Sequence, residues 1–511
     1  MNKTLYVTTP IYYVNAEPHL GHAYTTVAAD VLIRFNRLSG KKTFFVTGTD
    51  EHGDKVVRAA EVAGESPKEY ADRISMLFRN LWPELSVSND YFIRTTDENH
   101  KKVVQLILQK VYDAGDIYFG EYGGYYCFGC ERFYYEKELI DGKCPDHKVA
   151  PEFIKEKNYF FRMGKYQDWL IDYIKSHPGF IRPEKYSNEV LAFLRDPLED
   201  LCISRPKSRL DWGITLPFDK NYVTYVWFDA LINYLTSVGY PDNDSFHKFW
   251  PSVQHLIAKD ILKPHGIYWP TMLKASGIEP YHHLNVHGYW NIDENKISKS
   301  LGNTVKPLSL KDKYGLDAFR YFLMREMVFG LDANFSENAL VNRLNSDLAN
   351  DLGNLVSRSS AMVIKYFKGV LHKPVRYFET NERLSDDATK TIEEVISQMD
   401  QLAFSKALIA IWGFISSVNK YIDETSPWAL AKNEEQSGRL EAVLYNIIEA
   451  LRVITVLIFP FMPTTAEKIW TSLGIKVDLN AQRLEDIKGW GKIGENVTLS
   501  KIEPIFPRVE C

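Results

Sequence analysis

The sequence predicts an α/β fold: a Rossmann-type parallel sheet, split by an insertion with its own small fold and followed by a C-terminal α-helical bundle. Three observations predict it. The chain opens with strand, loop, helix and strand patterns in that order. A stretch from about residue 116 to 220 changes texture to Gly, Tyr and Cys. From about Asp347 onward the pattern is long and amphipathic.

The first strand is LYVTTPIYYV (residues 5–14), β-branched and aromatic throughout. NAEPHLGH is a loop. AYTTVAADVLIRFNRLSG reads as a helix stopped by Gly40, and KTFFVTGTDEHG as a second strand ending in polar residues. That is a βαβ unit, which favours a parallel sheet with ligands at the carboxyl ends of its strands. Strand and helix patterns resume after the insertion with YVTYVWFDALINYL, HLIAKDILKPHGIYWPTML and HLNVHGYW. TIEEVISQMDQLAFSKALIAIWGFISSVNKYI and LEAVLYNIIEALRVITVLIF then predict the bundle. The expected boundaries are 1–115 and 221–302 for the two halves of the catalytic domain, 116–220 for the insertion, 303–346 for a linker and 347–511 for the bundle.

At roughly 100–200 residues per domain, 511 residues hold about three or four domains. A net charge of −5 excludes a protein coated in positive charge, but a local stripe can still meet RNA. One stripe runs from Lys296 to Arg325, with Lys299, Lys306, Lys311, Lys313 and Arg320 against Asp312 and Asp317. MNKTLYVTTPIYYV lacks the basic start and apolar run of a signal peptide. No stretch offers the ~20 apolar residues of a membrane span. Five cysteines make no disulfide framework, so the cytoplasm is expected.

Two motifs point to phosphate chemistry. His19-Leu20-Gly21-His22 follows a strand and opens a helix, whose N-terminus is an anion site; histidines three apart face one side. Gly21 lets a flat ring approach the backbone. Lys296-Ile297-Ser298-Lys299-Ser300, closed by Gly302, places two lysines where they can neutralise a leaving polyphosphate. Alone, the first also reads as a helix start and the second as a solvated basic loop. A third motif is metal-like. Cys127-x2-Cys130, thirteen residues, then Cys144-x2-His147 suits one tetrahedral structural Zn2+ with no open position.

HxGH near the start and KxSKS near residue 300, flanking a parallel-sheet pattern, resemble class I aminoacyl-tRNA synthetases. TTPIYYVNAEPHLGH, TGTDEHG, YVWFDALINY and KDILKPHGIYWP are similar to the methionyl-tRNA synthetase family. The resemblance covers essentially the whole chain. It implies that methionine is activated with Mg·ATP to methionyl-adenylate and pyrophosphate, then transferred to the 3′ end of tRNA(Met), initiator tRNA included. It implies that His19 and His22 contact the phosphates with Gly21, and that Lys296 and Lys299 stabilise the transition state. Lys259, Asp260 and Gly288 would hold the nucleoside. Ile11, Tyr13, Trp227, Ala230, Leu231, Tyr234, Ile261 and His265 would line the methionine site, with Asp50 on the substrate ammonium. Asn354, Arg358, Pro427 and Trp428 would read the anticodon, and residues 303–346 would contact the stem.

The residue types suit these roles. A thioether packs well on aromatic rings, and Tyr234 and His265 are candidate donors to its sulfur. Trp stacks on an unpaired base while Asn and Arg read its edges. Trp227, Ala230, Leu231 and Tyr234 also fit a plain buried helix face, being spaced i, i+3, i+4, i+7. The chain departs from the family pattern at Ala258, where Gly is usual, and at Pro264, where many relatives carry an aromatic residue. Many relatives continue into a C-terminal oligonucleotide-binding barrel that dimerises them; this sequence stops at PIFPRVEC, so a monomer is expected. Other class I synthetases with large editing insertions are longer than the span from His22 to Lys296 allows, and a cysteine-binding zinc needs a vacancy that four ligands do not leave. A small-molecule nucleotidyltransferase needs no RNA-reading bundle, and an inactive tRNA-binding protein would not need both motifs intact.

Overall fold

The computed structural model describes residues 3–127, 132–134, 136–145, 148–292, 295–296, 305–374 and 380–509. Its centre is a six-stranded sheet in which every pairing is parallel. Across the sheet the strands run Tyr91–Arg94, Lys42–Asp50, Thr4–Tyr13, Val253–Ala258, His283–His287 and Ile181–Arg182. The chain thus starts in the middle, moves outward to one edge, and resumes on the other side of its first strand. That reversal between Thr4–Tyr13 and Val253–Ala258 opens a crevice at the carboxyl ends, where ligands bind in sheets of this kind.

The first strand carries Pro10, which cannot donate to a ladder. The strand absorbs it in an irregularity between Thr8 and Ile11, after which Ile11 pairs with Gly48 and Tyr13 with Asp50. Bulges of this sort re-aim side chains next to active sites. Gly48 is required here, because a Cβ would lie 2.0 Å from the Ile93 carbonyl oxygen.

Two cores sandwich the sheet. One face packs on Leu20–Leu38, Pro67–Glu84 and Leu316–Glu326 and is continuous with the core of the bundle. The other face packs on Glu98–Asp113 and on the segments 167–193, 227–238 and 264–275. The bundle's long helices are Thr380–Asp400, Phe404–Thr425 and Ser437–Ile458. Its middle helix buries Phe404, Leu408, Ile411, Ile415, Val418 and Ile422, the stripe of a helix with one face inward.

Within residues 116–220, a long antiparallel hairpin of Ile117–Cys127 and Glu152–Phe161 builds a separate small sheet. The chain then returns: Ile181–Arg182 becomes the edge strand of the main sheet, and Leu170, Ile174 and Val190 enter its core. Two residues are too short a run to read as a strand from sequence.

Of the expected basic stripe from Lys296 to Arg325, Lys306, Lys311, Lys313 and Arg320 are paired with carboxylates in the structure. Lys306 pairs with Glu17 at 3.0 Å, Lys311 with Glu84 at 2.7 Å and Lys313 with Glu337 at 2.7 Å. Arg320 is fully buried on Asp30. The stripe was counted along 30 residues of chain, and the neutralising carboxylates come from elsewhere in it.

Candidate active site

The helix Leu20–Leu38 begins at the carboxyl end of the first strand, and His19 is its N-cap. The His19 imidazole folds back so that Nδ1 accepts from the Gly21 N–H at 3.1 Å. Gly21 makes that possible: a Cβ would sit 3.0 Å from His19 Cε1. One turn on, His22 Nδ1 accepts from the His19 N–H at 3.2 Å. The pair forms a capping box built from histidines in place of Ser and Glu. The rings stack with centroids 3.7 Å apart. Because both Nδ1 atoms accept, a neutral ring at either position carries its proton on Nε2. Tyr12 and Phe78 brace the His22 ring at 4.7 and 5.2 Å, and the Tyr12 hydroxyl is fixed by Thr26 at 2.7 Å.

The Trp227–Tyr234 run is two short helices, Trp227–Ala230 and Asn233–Thr236, in near-continuous register. Ala230, Leu231 and Tyr234 are buried and Trp227 is half-buried. Val226 launches the run at φ +51°, a region that is costly for a β-branched residue and tends to be stored at functional sites. Tyr234 meets His265, whose Nε2 lies 2.8 Å from the phenol oxygen. His265 Nδ1 lies 2.9 Å from the Ile261 carbonyl, which only accepts, so Nδ1 carries the hydrogen. Burial pushes the His265 pKa down to about 4, leaving the ring neutral near pH 7 with one N–H. Nε2 is then an acceptor, and the Tyr234 hydroxyl donates to it.

In this structure both hydrogens are engaged inside the protein, on the two residues the sequence offers as candidate donors to a substrate sulfur. That arrangement leaves shape as the expected basis for selecting the substrate side chain. For the methionine substrate that the resemblance implies, Tyr234→Phe is expected to leave the ratio of methionine to norleucine activation within about twofold. It should cost about 1–3 kcal/mol in thermal unfolding, because His265 Nε2 loses its donor. A fall in that ratio beyond about tenfold would restore the phenol as a sulfur donor.

Asp50 ends the second strand beside Tyr13 and is buried. The two residues after it are anchored. The Glu51 carboxylate, fully buried, takes two bonds from Arg94 at 2.6 and 2.8 Å and one each from Thr49 and Thr96. His52 Nδ1 lies 2.6 Å from Asp229, in the middle of the pocket run, and His100 Nε2 lies 2.9 Å from the same carboxylate. Burial alone would raise the Asp229 carboxyl; the two imidazoles outweigh it and hold it well below the ordinary carboxylate range. An ionised carboxylate only accepts, so both imidazole nitrogens facing it carry hydrogens.

Past the third central strand come Lys259, Asp260 and Ile261, with Lys259 paired to Asp332 at 2.7 Å. Gly288 follows the next strand, and a Cβ there would lie 2.3 Å from the Leu331 carbonyl oxygen. His287, buried and held neutral with its pKa lowered to about 4 by burial, links the Gly288 turn to the first helix. It donates from Nδ1 to the Gly288 carbonyl at 2.7 Å, and Nε2 meets Thr25 of the first helix at 2.8 Å. Lys296 pairs through its backbone with Asn291, and Lys299 lies outside the described residues.

The sheet thus gathers Ile11, Tyr13, His19, His22, Asp50, Lys259, Asp260 and Gly288 at its carboxyl edge. Sequence reasoning missed Glu51, His52, Arg94, His100, Asp229 and His287. One signal was present: Asp229 is a lone acid inside the apolar run YVWFDALINYL.

The remaining predicted residues lie elsewhere. Cys127 and Cys144 are buried in one small cluster with Tyr134, whose hydroxyl is 3.5 Å from Cys144 Sγ; Cys130 and His147 fall outside the described residues. In the helical part Asn354 is exposed, and Arg358 reaches Asp423 at 3.0 Å, near the end of Phe404–Thr425. Trp428, just beyond, is 42% exposed, an unusual position for Trp. Pro427 is buried and starts the short helix that presents Trp428.

The class I tRNA synthetase (M) family model matches residues 5–150 and 137–360, and the model for the anticodon-binding domain of tRNA ligases matches 384–498. A methionine–tRNA ligase of Caldanaerobacter subterraneus subsp. tengcongensis is 50% identical over 100% of this chain and 80% of its own length. One of Streptomyces coelicolor is 43% identical over 99% of this chain and 97% of its own. The solved structure of Mycobacterium tuberculosis methionyl-tRNA synthetase in complex with methionyl-adenylate superposes with a TM-score of 0.94 at 39% identity, covering 99% of this chain and 100% of that one.

Proposed function

The chain belongs to the class I methionyl-tRNA synthetase family, and from that membership we propose which of its side chains carry out methionine–tRNA ligation. The activity runs in two steps. A carboxylate oxygen of methionine attacks the α-phosphorus of ATP and pyrophosphate leaves. The terminal ribose hydroxyl of the tRNA then attacks the activated carbonyl and AMP leaves. Neither step needs a covalent enzyme intermediate, so the protein's contribution is alignment and stabilisation of charge.

His19 and His22 present Nε2–H to the phosphates at the start of a helix whose dipole adds positive potential. Lys299, with Lys296, neutralises charge growing on the departing pyrophosphate. Asp50 pairs with the substrate ammonium. Ile11, Tyr13, Trp227, Ala230, Leu231, Tyr234, Ile261 and His265 enclose the side chain. Lys259, Asp260 and Gly288 hold the nucleoside, and the Mg2+ that accompanies ATP belongs to the substrate. What carries this reading is the arrival of the stacked histidines, Asp50 and the Lys259–Asp260 step at one edge of a single parallel sheet. Exchange of labelled pyrophosphate into ATP, run with each of the twenty amino acids, is expected with methionine alone at physiological concentrations. Exchange driven best by another amino acid would refute the pocket assignment.

Cys127, Cys130, Cys144 and His147 would hold one structural Zn2+. Support comes from Cys127 and Cys144, both buried in one cluster and not joined by a disulfide. The ion would supply a cross-link to a lobe too small to bury a core of its own. Elemental analysis is expected to give about one zinc per chain; a metal-free, fully folded protein would contradict the knuckle. Asn354, Arg358 and Trp428 are the proposed anticodon contacts, with Pro427 setting the Trp428 backbone. Among the described residues no helix is long and apolar enough to cross a membrane. We place the enzyme in the cytoplasm, where unpaired thiols persist, as a monomer.

A further inference from the structure

Two charged residues on one helix join the stretches matched by the two family models. Leu316–Glu326 carries Asp317 in its first turn and Arg320 one turn later. Both are buried, Arg320 completely. The Arg320 guanidinium donates to the Phe461 and Pro460 carbonyls at 2.9 and 3.0 Å, in the turn between the helices Ser437–Ile458 and Pro463–Ser472. The same group donates to Asp30 at 2.7 Å and to the Leu85 carbonyl at 2.9 Å. Asp30 lies on the helix that His19 caps, about 12 Å along it from His22. Its other bonds come from Arg34 at 2.8 Å and from the Ser88 N–H and hydroxyl at 2.7 Å each, so it is fully satisfied and fixed.

Asp317 also faces the bundle. The helix Pro463–Ser472 has Met462 at its N-cap, which offers no side-chain acceptor. Asp317 supplies one from the neighbouring helix, accepting from the Thr465 N–H at 2.5 Å. A carboxylate at a helix start and a guanidinium on the carbonyls of the preceding turn each complement the backbone they touch.

We propose that Asp317 and Arg320 are positioning residues for tRNA charging: they set the orientation of the tRNA-reading bundle against the phosphate-binding helix. The turn they grip lies inside the stretch matching the anticodon-binding model, and Asp30 lies inside the stretch matching the synthetase model. The proposal does not depend on which bundle residues touch the anticodon. Activation of methionine uses the sheet's crevice together with Lys296 and Lys299, whereas charging also needs the tRNA end delivered at a fixed angle. Loosening the joint therefore separates the two reactions.

The test measures methionine-dependent pyrophosphate exchange and tRNA charging on the same preparations of full-length variants. Asp317→Ala is expected to keep exchange within about twofold and to lower charging kcat/KM by about tenfold. Asp317→Asn retains an oxygen for Thr465 and should restore most of the charging. Arg320→Lys keeps the pair with Asp30 but loses the fork that reaches the turn carbonyls, and should show the same split. If the alanine variant does not fold, the lysine variant decides alone. Exchange and charging falling together, charging unchanged in a folded variant, or failure of both variants to fold would assign the pair to stability only and overturn the proposal.

Discussion

His22→Ala is expected to slow methionine-dependent pyrophosphate exchange by about 10²–10³-fold, the usual loss when one preorganised donor to a developing charge is removed. The geometry separates this from a folding defect. His22 Nδ1 accepts from the His19 N–H, so alanine removes a cap and should cost about 1 kcal/mol in unfolding. A cap of that size does not explain a rate loss above a hundredfold. His22→Asn keeps an oxygen near the position of Nδ1 and should recover the stability but not the rate, because nothing then occupies the place of Nε2–H. The stacked His19 ring, 3.7 Å away, loses its support in both variants, so part of the loss belongs to the pair. Rates from exchange at saturating ATP and methionine, beside thermal unfolding of both variants, check the prediction. A loss under about tenfold with His22→Ala would mean that the phosphates are held elsewhere.

The catalytic sheet was legible because its signals are local. Strand periodicity in LYVTTPIYYV, the helix after HLGH and the polar end of TGTDEHG each lie within a few turns of chain. Motif spacing also carried the stacking of His19 and His22, since residues three apart on a helix share a face. What was not legible depends on partners far apart in sequence. The lysines near residue 311 read as a stripe until folding brought Glu84 and Glu337 to them. Arg320 read as one more basic residue and is a buried joint. Tyr234 and His265 read as separate candidate sulfur donors, and the structure bonds them to each other, with the Ile261 carbonyl fixing the imidazole tautomer. The edge strand Ile181–Arg182 has too few residues to show a period. For the lysines, Arg320, Tyr234 and His265 the chemistry of the side chain was clear and its partner was not.

Asp229→Ala is expected to raise the KM for methionine by about 10²-fold, with a much smaller change in kcat. Asp229 never meets the substrate in this reading. It ties His52, two residues past Asp50, to the helical run bearing Trp227, Ala230 and Leu231, and His100 fastens the same carboxylate to Glu98–Asp113. Alanine would leave the buried His52 N–H without an acceptor and drive the His100 proton to Nδ1, costing about 1–3 kcal/mol while freeing the loop from the pocket wall. Asp229→Asn separates loop position from charge. Its oxygen still serves His52, and its amide faces His100. That ring can answer with a lone pair by moving its proton to Nδ1, where Thr236 Oγ1 lies 3.1 Å away. The rescue is available to His100, because it has a second polar neighbour, and asparagine should therefore recover most of the affinity. Methionine titrations of exchange on both variants decide it. An unchanged KM in a folded alanine variant, or equal losses in both, would show that the carboxylate contributes charge or bulk rather than the position of the loop.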